Sequence, residues 1–230
     1  MLTIDTSGVA CPADFSHFID APQSRTALTT SATVLALDAD GVLLDYNLAF
    51  AAVWERAFGV RPVEQDPQAY WATDRFGLTR LEGDAMLHFR SHFDDGFWAD
   101  VPVLPGAVEA CRALAKAGHE LVCVSALPPE FADARLRNLR AHGFPIQQVL
   151  ATGHEASERS PKADAINTLA PLAFVDDYLP YMSGVSATVH KALVMRGSTR
   201  SPNAGPALAD VHSQHTDLRD FSDWWLSRPR

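Results

Sequence analysis

Lysine is scarce in this chain: Lys116, Lys162 and Lys191 are the only three, against sixteen arginines. Positive charge as a whole is outweighed, and the net charge is −9 at neutral pH. That balance excludes the basic footprint of a nucleic-acid binder and makes an anionic membrane surface a poor partner. An anionic substrate stays open, because one bound divalent cation inverts the local field. Cysteine is also sparse, with Cys11, Cys111 and Cys123 widely spaced and odd in number. Cys111 and Cys123 fall in apolar segments and read as small buried hydrophobes of a reducing compartment. No apolar run approaches membrane-spanning length, and the start lacks the basic residues and apolar core of a signal peptide. The expectation is a cytoplasmic protein. What is present is ordinary for a globule: 230 residues, 47% apolar and 20% charged, enough for one domain with an insertion.

One stretch organises the rest. Val34 to Leu37 is a short apolar run without alternation, which suits a strand buried on both faces of a parallel sheet. It leads into Asp38-Ala39-Asp40-Gly41. Side chains two apart on a strand point the same way, so Asp38 and Asp40 can converge at its carboxyl end. Open α/β sheets place their ligands at that end. The competing reading is a polar exit from a strand, since Asp and Gly are common turn residues.

Residues 1–30 carry no period and read as an extension. Asn47 is placed to cap a helix running to Phe58, with Gly59 as its stop. A second helical pattern spans about Thr79 to Phe93, and no strand is expected between Tyr46 and Pro102. Residues 47–102 therefore read as an inserted helical cap, with the core at 31–46 and 103–230. Strands and helices then alternate. Strands are expected at 120–124, 148–151, 172–175 and 192–195, and a terminal helix lies around Trp224 and Trp225. This pattern implies an α/β Rossmann-like three-layer sandwich with a parallel sheet and right-handed crossovers.

Three expected strands end in chemically useful residues: Asp38 with Asp40, then Ser125, then Asp176 with Asp177. Lys162 opens a helix between the second and the third. A lone lysine is most often a solvated helix-start residue, but a cation is disfavoured at a helix N-terminus, so one beside two acidic strand ends and a hydroxyl points to function. Several carboxylates with one hydroxyl and one ammonium make a hard oxygen site suited to Mg²⁺. They also provide a nucleophilic aspartate, positive charge around a phosphoryl group, and an acid/base in Asp40.

The segments Asp38-Ala39-Asp40-Gly41-Val42-Leu43, Val122-Cys123-Val124-Ser125, Ser160-Pro161-Lys162 and Phe174-Val175-Asp176-Asp177 together resemble the haloacid-dehalogenase-like hydrolase superfamily, in its phosphatase branch. The resemblance implies Asp38 as nucleophile and Asp40 as general acid/base. Ser125 and Lys162 would hold the phosphoryl oxygens. Mg²⁺ would sit on Asp38, the Asp40 carbonyl and Asp176, with Asp177 assisting. A small phosphorylated metabolite would be the substrate, with neither nucleic acid nor membrane as partner. Two positions depart from the common pattern: Ala126 follows Ser125, and Ala163 follows Lys162.

Rival readings are a phosphomutase, a haloacid dehalogenase, and a non-catalytic phosphate-binding or receiver-like protein. Asp40 argues against a dehalogenase, because displacing halide needs no proton donor. His88 and His92 are spaced for a helix face but read as a solvated or packed pair, and His212 with His215 as surface. Among Trp54, Tyr70, Trp71, Phe97 and Trp98 some could line a pocket, and Arg75 or Arg80 could meet an anionic substrate group.

Overall fold

The first strand, β1 (Val34–Leu37), has all four residues buried, as expected for a run apolar on both faces. It lies at the centre of a six-stranded sheet, which the computed structural model shows over residues 33–153 and 159–228. The extension expected over residues 1–30, with Cys11, lies outside those described residues. The other strands are β2 (Glu120–Ser125), β3 (Ile146–Ala151), β4 (Ala173–Asp176), β5 (His190–Val194) and β6 (Ser213–His215). Their spatial order is β3-β2-β1-β4-β5-β6, and every pairing is parallel.

Alternate residues of these strands feed two separate cores, as the pleat dictates. Leu35, Leu37, Leu121, Cys123 and Val175 join the larger one. Val34, Ala36, Val122, Val124 and Phe174 join the other, beneath α7 (Ala163–Leu169). The larger core is covered by α5 (Ala107–Lys116), α6 (Ala132–Ala141) and α8 (Leu218–Ser227), the last anchored by fully buried Phe221. This is the expected Rossmann-like sandwich. Cys111 and Cys123 are buried free thiols, again as expected.

Between β1 and α5 the chain forms α1 (Tyr46–Phe58), α2 (Ala72–Arg75), α3 (Gly83–Arg90) and α4 (Asp95–Ala99). Two local expectations shift here. Asp45, not Asn47, caps α1, accepting from the Leu48 amide at 3.0 Å. Asn47 turns inward and is buried. The pattern expected from Thr79 becomes a helix only at Gly83, because residues 78–82 run as an irregular lead-in. Phe50 of α1 meets Phe76 and Phe89 at centroid distances of 6.3 and 5.3 Å, an aromatic group continuous with the larger core of the sheet. Trp54 and Phe97 pack into it rather than into a pocket. The rings of His88 and His92 lie 4.9 Å apart, with His88 exposed and His92 partly buried. The short helix α4 is different: it docks on α6, where Asn138 Nδ2 donates to the Ala99 and Val101 carbonyls at 3.1 and 3.0 Å.

Candidate active site

In this strand order the sheet changes direction between β1 and β4, the crevice where open α/β folds bind ligands. The strand ends place Asp38, Asp176 and Asp177 there, with the Asp38 amide donating to the Val175 carbonyl at 2.9 Å. The three carboxylates are buried, each offering an oxygen within 4.8 Å of the others. Lys162 is fully buried between them. Its Nζ lies 2.6 Å from Asp38 Oδ1 and 2.6 Å from Asp176 Oδ2, and 4.6 Å from the Tyr181 ring centroid. A lysine at the start of α7 opposes the helix dipole, and the paired carboxylates outweigh that modest penalty.

Gly41 explains why this turn is glycine. Its φ is +92°, and a Cβ there would overlap the Asp177 carboxylate and lie 2.8 Å from Arg196 Nε. Ser125 ends β2, is buried, and lines the same cavity of about 350 Å³. Asp38, Asp40 and Asp177 line it too, as do Tyr46, Tyr70, Trp71 and Trp98. All the site residues expected from the sequence thus gather at one rim of the sheet.

Two arginines at this site were not expected. Arg196 follows β5, donates from Nε to Asp177 Oδ2 at 2.7 Å, and lies 4.8 Å from the Tyr70 ring centroid. With the Asn47 amide turned so that its oxygen faces Arg196, Oδ1 accepts from Nη1 at 2.9 Å. Arg135 of α6 is fully buried, and its Nη2 donates to Asp40 Oδ1 and Oδ2 at 2.8 and 2.9 Å. A signal for Arg135 was present: Phe131, Arg135 and Leu139 recur at i, i+4 and i+8, so a charge occupies the apolar stripe of a helix. Arg196, like the aspartates, closes an apolar strand run. Arg75 instead pairs with Glu64 and Arg80 is exposed, so neither lines this cavity. His215, expected at the surface, is buried on β6, where Ser213 Oγ lies 2.8 Å from its Nε2 and the Trp224 ring packs against it.

Burial, then the Asp38 charge, pushes the Asp176 carboxyl well above the usual range; burial likewise pushes Asp177 up to about 6 against the pull of Arg196. The Lys162 ammonium is held charged more firmly than a free lysine by Asp176 and Asp38. Three carboxylates facing Lys162 and Arg196 leave negative charge uncompensated, which favours a bound cation or proton. Clustered hard oxygens of this kind fit Mg²⁺.

A profile of the 5′ nucleotidase, deoxy (pyrimidine), cytosolic type C protein family (NT5C) matches residues 32–154, just over half of the chain. The chain belongs to that family. NT5C proteins sit within the haloacid-dehalogenase-like superfamily, in its phosphatase branch. A Bordetella pertussis protein named "Putative 5′(3′)-deoxyribonucleotidase" is 32% identical over 96 residues, 41% of this chain and 50% of that protein. A Bacillus cereus protein named "Putative nucleotidase" is 32% identical over 75 residues, 33% of this chain and 39% of that one. The chain therefore spans half or less of the curated relatives it matches. Among solved structures, a haloacid dehalogenase-like family hydrolase from Streptococcus pneumoniae superposes with a TM-score of 0.56 at 18% identity, covering 85% of this chain and 99% of that one. That similarity shows the fold.

Proposed function

We propose that this NT5C-family chain is a Mg²⁺-dependent phosphatase whose substrate is a small phosphorylated metabolite, a nucleoside monophosphate, and which works through an aspartyl-phosphate. The observation that carries the reading is Lys162, fully buried and 2.6 Å from both Asp176 and Asp38, the latter lining the open cavity. Such a lysine serves the fold poorly and the charge of a transferring phosphoryl group well.

Asp38 attacks phosphorus with a carboxylate oxygen, and the bond from phosphorus to the ester oxygen breaks. The Asp40 carboxyl gives its proton to the departing alkoxide. Water then attacks the phosphorus of the acyl phosphate and passes its proton to the Asp40 carboxylate, and the bond from phosphorus to Asp38 breaks. Free phosphate leaves and both aspartates are restored. Lys162 and the Ser125 hydroxyl hold the phosphoryl oxygens as charge builds on them. Asp38, the Asp40 carbonyl and Asp176 would hold Mg²⁺, with Asp177 assisting; bound there, the ion supplies charge neutralisation for the phosphoryl group.

The aromatic walls support a planar base as the rest of the substrate. Tyr70 and Trp71 meet edge to face at 4.9 Å, and Trp71 remains 44% exposed. We assign residues 47–102 to a cap that closes over the cavity. The buried free thiols fit a reducing, cytoplasmic setting. The test is phosphate release from a panel of ribo- and deoxyribonucleoside 5′- and 3′-monophosphates. Release is expected with Mg²⁺, is lost on chelation, and falls on the order of 10⁴-fold or more in Asp38→Asn. Turnover that survives Asp38→Asn would sink the assignment.

A further inference from the structure

Among the described residues the Asp40 carboxylate is held by one partner, and that partner is unusual. Arg135 is fully buried on α6, a core helix, and its guanidinium lies 5.1 Å from the Trp98 ring centroid. Burying a guanidinium in a protein interior is strongly unfavourable unless its charge and its N–H groups are matched. Here the charge is matched but the donors are not. Nη2 alone gives both bonds to Asp40, while Nε and Nη1 have no partner among the described residues. An arginine kept only to tie two segments together would be expected to make the two parallel bonds of a fork and to satisfy its remaining N–H groups. The single-nitrogen contact, nearly equidistant from both oxygens, constrains the direction of the carboxylate on the cavity wall, where the Asp40 side chain keeps a quarter of its surface exposed.

We propose that Arg135 is a positioning residue for Asp40, aiming its carboxyl at the leaving oxygen. This rests on the reading of Asp40 as the acid that protonates the leaving group. Arg135 bonds Asp40 and does not line the cavity, so it acts through Asp40. Trp98, brought in on α4, packs its ring against the guanidinium.

The test compares kcat/KM for a nucleoside monophosphate, whose alkoxide needs a proton, with that for 4-nitrophenyl phosphate, whose leaving group does not. Arg135→Gln is expected to lower the first by about 10- to 100-fold and the second by less than about threefold, since a well-placed acid is worth roughly 10²- to 10⁴-fold. In an Asp40→Asn background, Arg135→Gln is expected to add nothing, as for residues that act as a unit. Equal losses on both substrates, or a further loss in the Asp40→Asn background, would overturn the inference and leave Arg135 a structural ion pair. Should Arg135→Gln fail to fold, Arg135→Lys decides by the same comparison, with a smaller loss confined to the nucleotide as the supporting result and equal losses as the contrary one. Failure of the underlying reading looks different: Asp40→Asn by itself would then slow both substrates alike or neither.

Discussion

The rim of the sheet and the wall above it are built on opposite terms. At the rim, Asp38, Asp176, Asp177 and Lys162 are all buried, on strand ends and a helix start fixed by the parallel ladder. In the wall, Tyr70 and Trp71 belong to the insertion, which touches the loop after β5 through a few backbone bonds: the Ser198 and Thr199 amides donate to the Gln68 carbonyl at 2.8 and 2.9 Å, and the Tyr70 amide to Thr199 at 3.1 Å. Gly197 permits that approach, with φ at +70° and a Cβ that would lie 2.9 Å from the Gln68 carbonyl oxygen. Val60, Val63 and Leu87 of the insertion stay well exposed. Groups that must hold charge out of water need rigid, satisfied surroundings, whereas a surface that selects a substrate gains from adjustable side chains. Arg196 joins the two, with Asp177 on one side and Tyr70 on the other.

The comparison breaks most sharply at Lys162. Lys162→Met removes the one cation shared by Asp38 and Asp176 and is expected to destabilise the fold by about 3–5 kcal/mol while abolishing turnover. Denaturant unfolding measures it, and a stability within about 1 kcal/mol of the parent would show that the rim is not held by this pair. Gly41→Ala comes next. It strains a positive φ and pushes on Asp177, so Mg²⁺ affinity by calorimetry is expected to fall about 10-fold, and an unaltered affinity would detach Asp177 from the metal.

Smaller effects should follow in the wall. Trp71→Ala is expected to raise KM for nucleotides roughly fivefold or more, from lost stacking, with kcat/KM for 4-nitrophenyl phosphate nearly unchanged. Similar losses on both substrates would place Trp71 in the chemistry rather than in selection. The smallest effect is on pH. Because Asp177 is raised from its ordinary 3.8 to about 6, the folded state binds protons more tightly than the unfolded chain between those values. Without metal, its contribution to stability is therefore full below about pH 4 and lost as pH rises through 6, lowering Tm by a few degrees. Added Mg²⁺ is expected to reverse the fall, more at pH 7.5 than at pH 5. A metal-free Tm that rises across this window, with Mg²⁺ making no difference, would contradict it.

Most of the rim could be read along the chain. Each strand that carries a site residue is an apolar run ending in it, and Lys162 stood out because lysine is so rare. The wall was less legible. Tyr46 and Asn47 looked like the opening of a helix, and nothing local distinguished the side of α1 that faces the cavity. The strand β6 escaped notice because Ser213-Gln214-His215 has no apolar run, and its place comes from pairing with β5. Arg135 and Arg196 were missed for a related reason. Sixteen arginines give little contrast, and the placement of Arg135 in an apolar helix stripe and of Arg196 after an apolar run gains its meaning from the carboxylate found beside each.

The sequence alone determined the alternating α/β plan, the helical insertion after β1, and which acids end which strands. These follow from local period and from the fixed alternation of side chains along a strand. Tertiary structure decided the pairings: Lys162 between Asp38 and Asp176, Arg196 on Asp177, Arg135 on Asp40. Those contacts join residues 14 to 124 positions apart, and an ion pair depends on distances of a few ångströms that only the folded chain fixes.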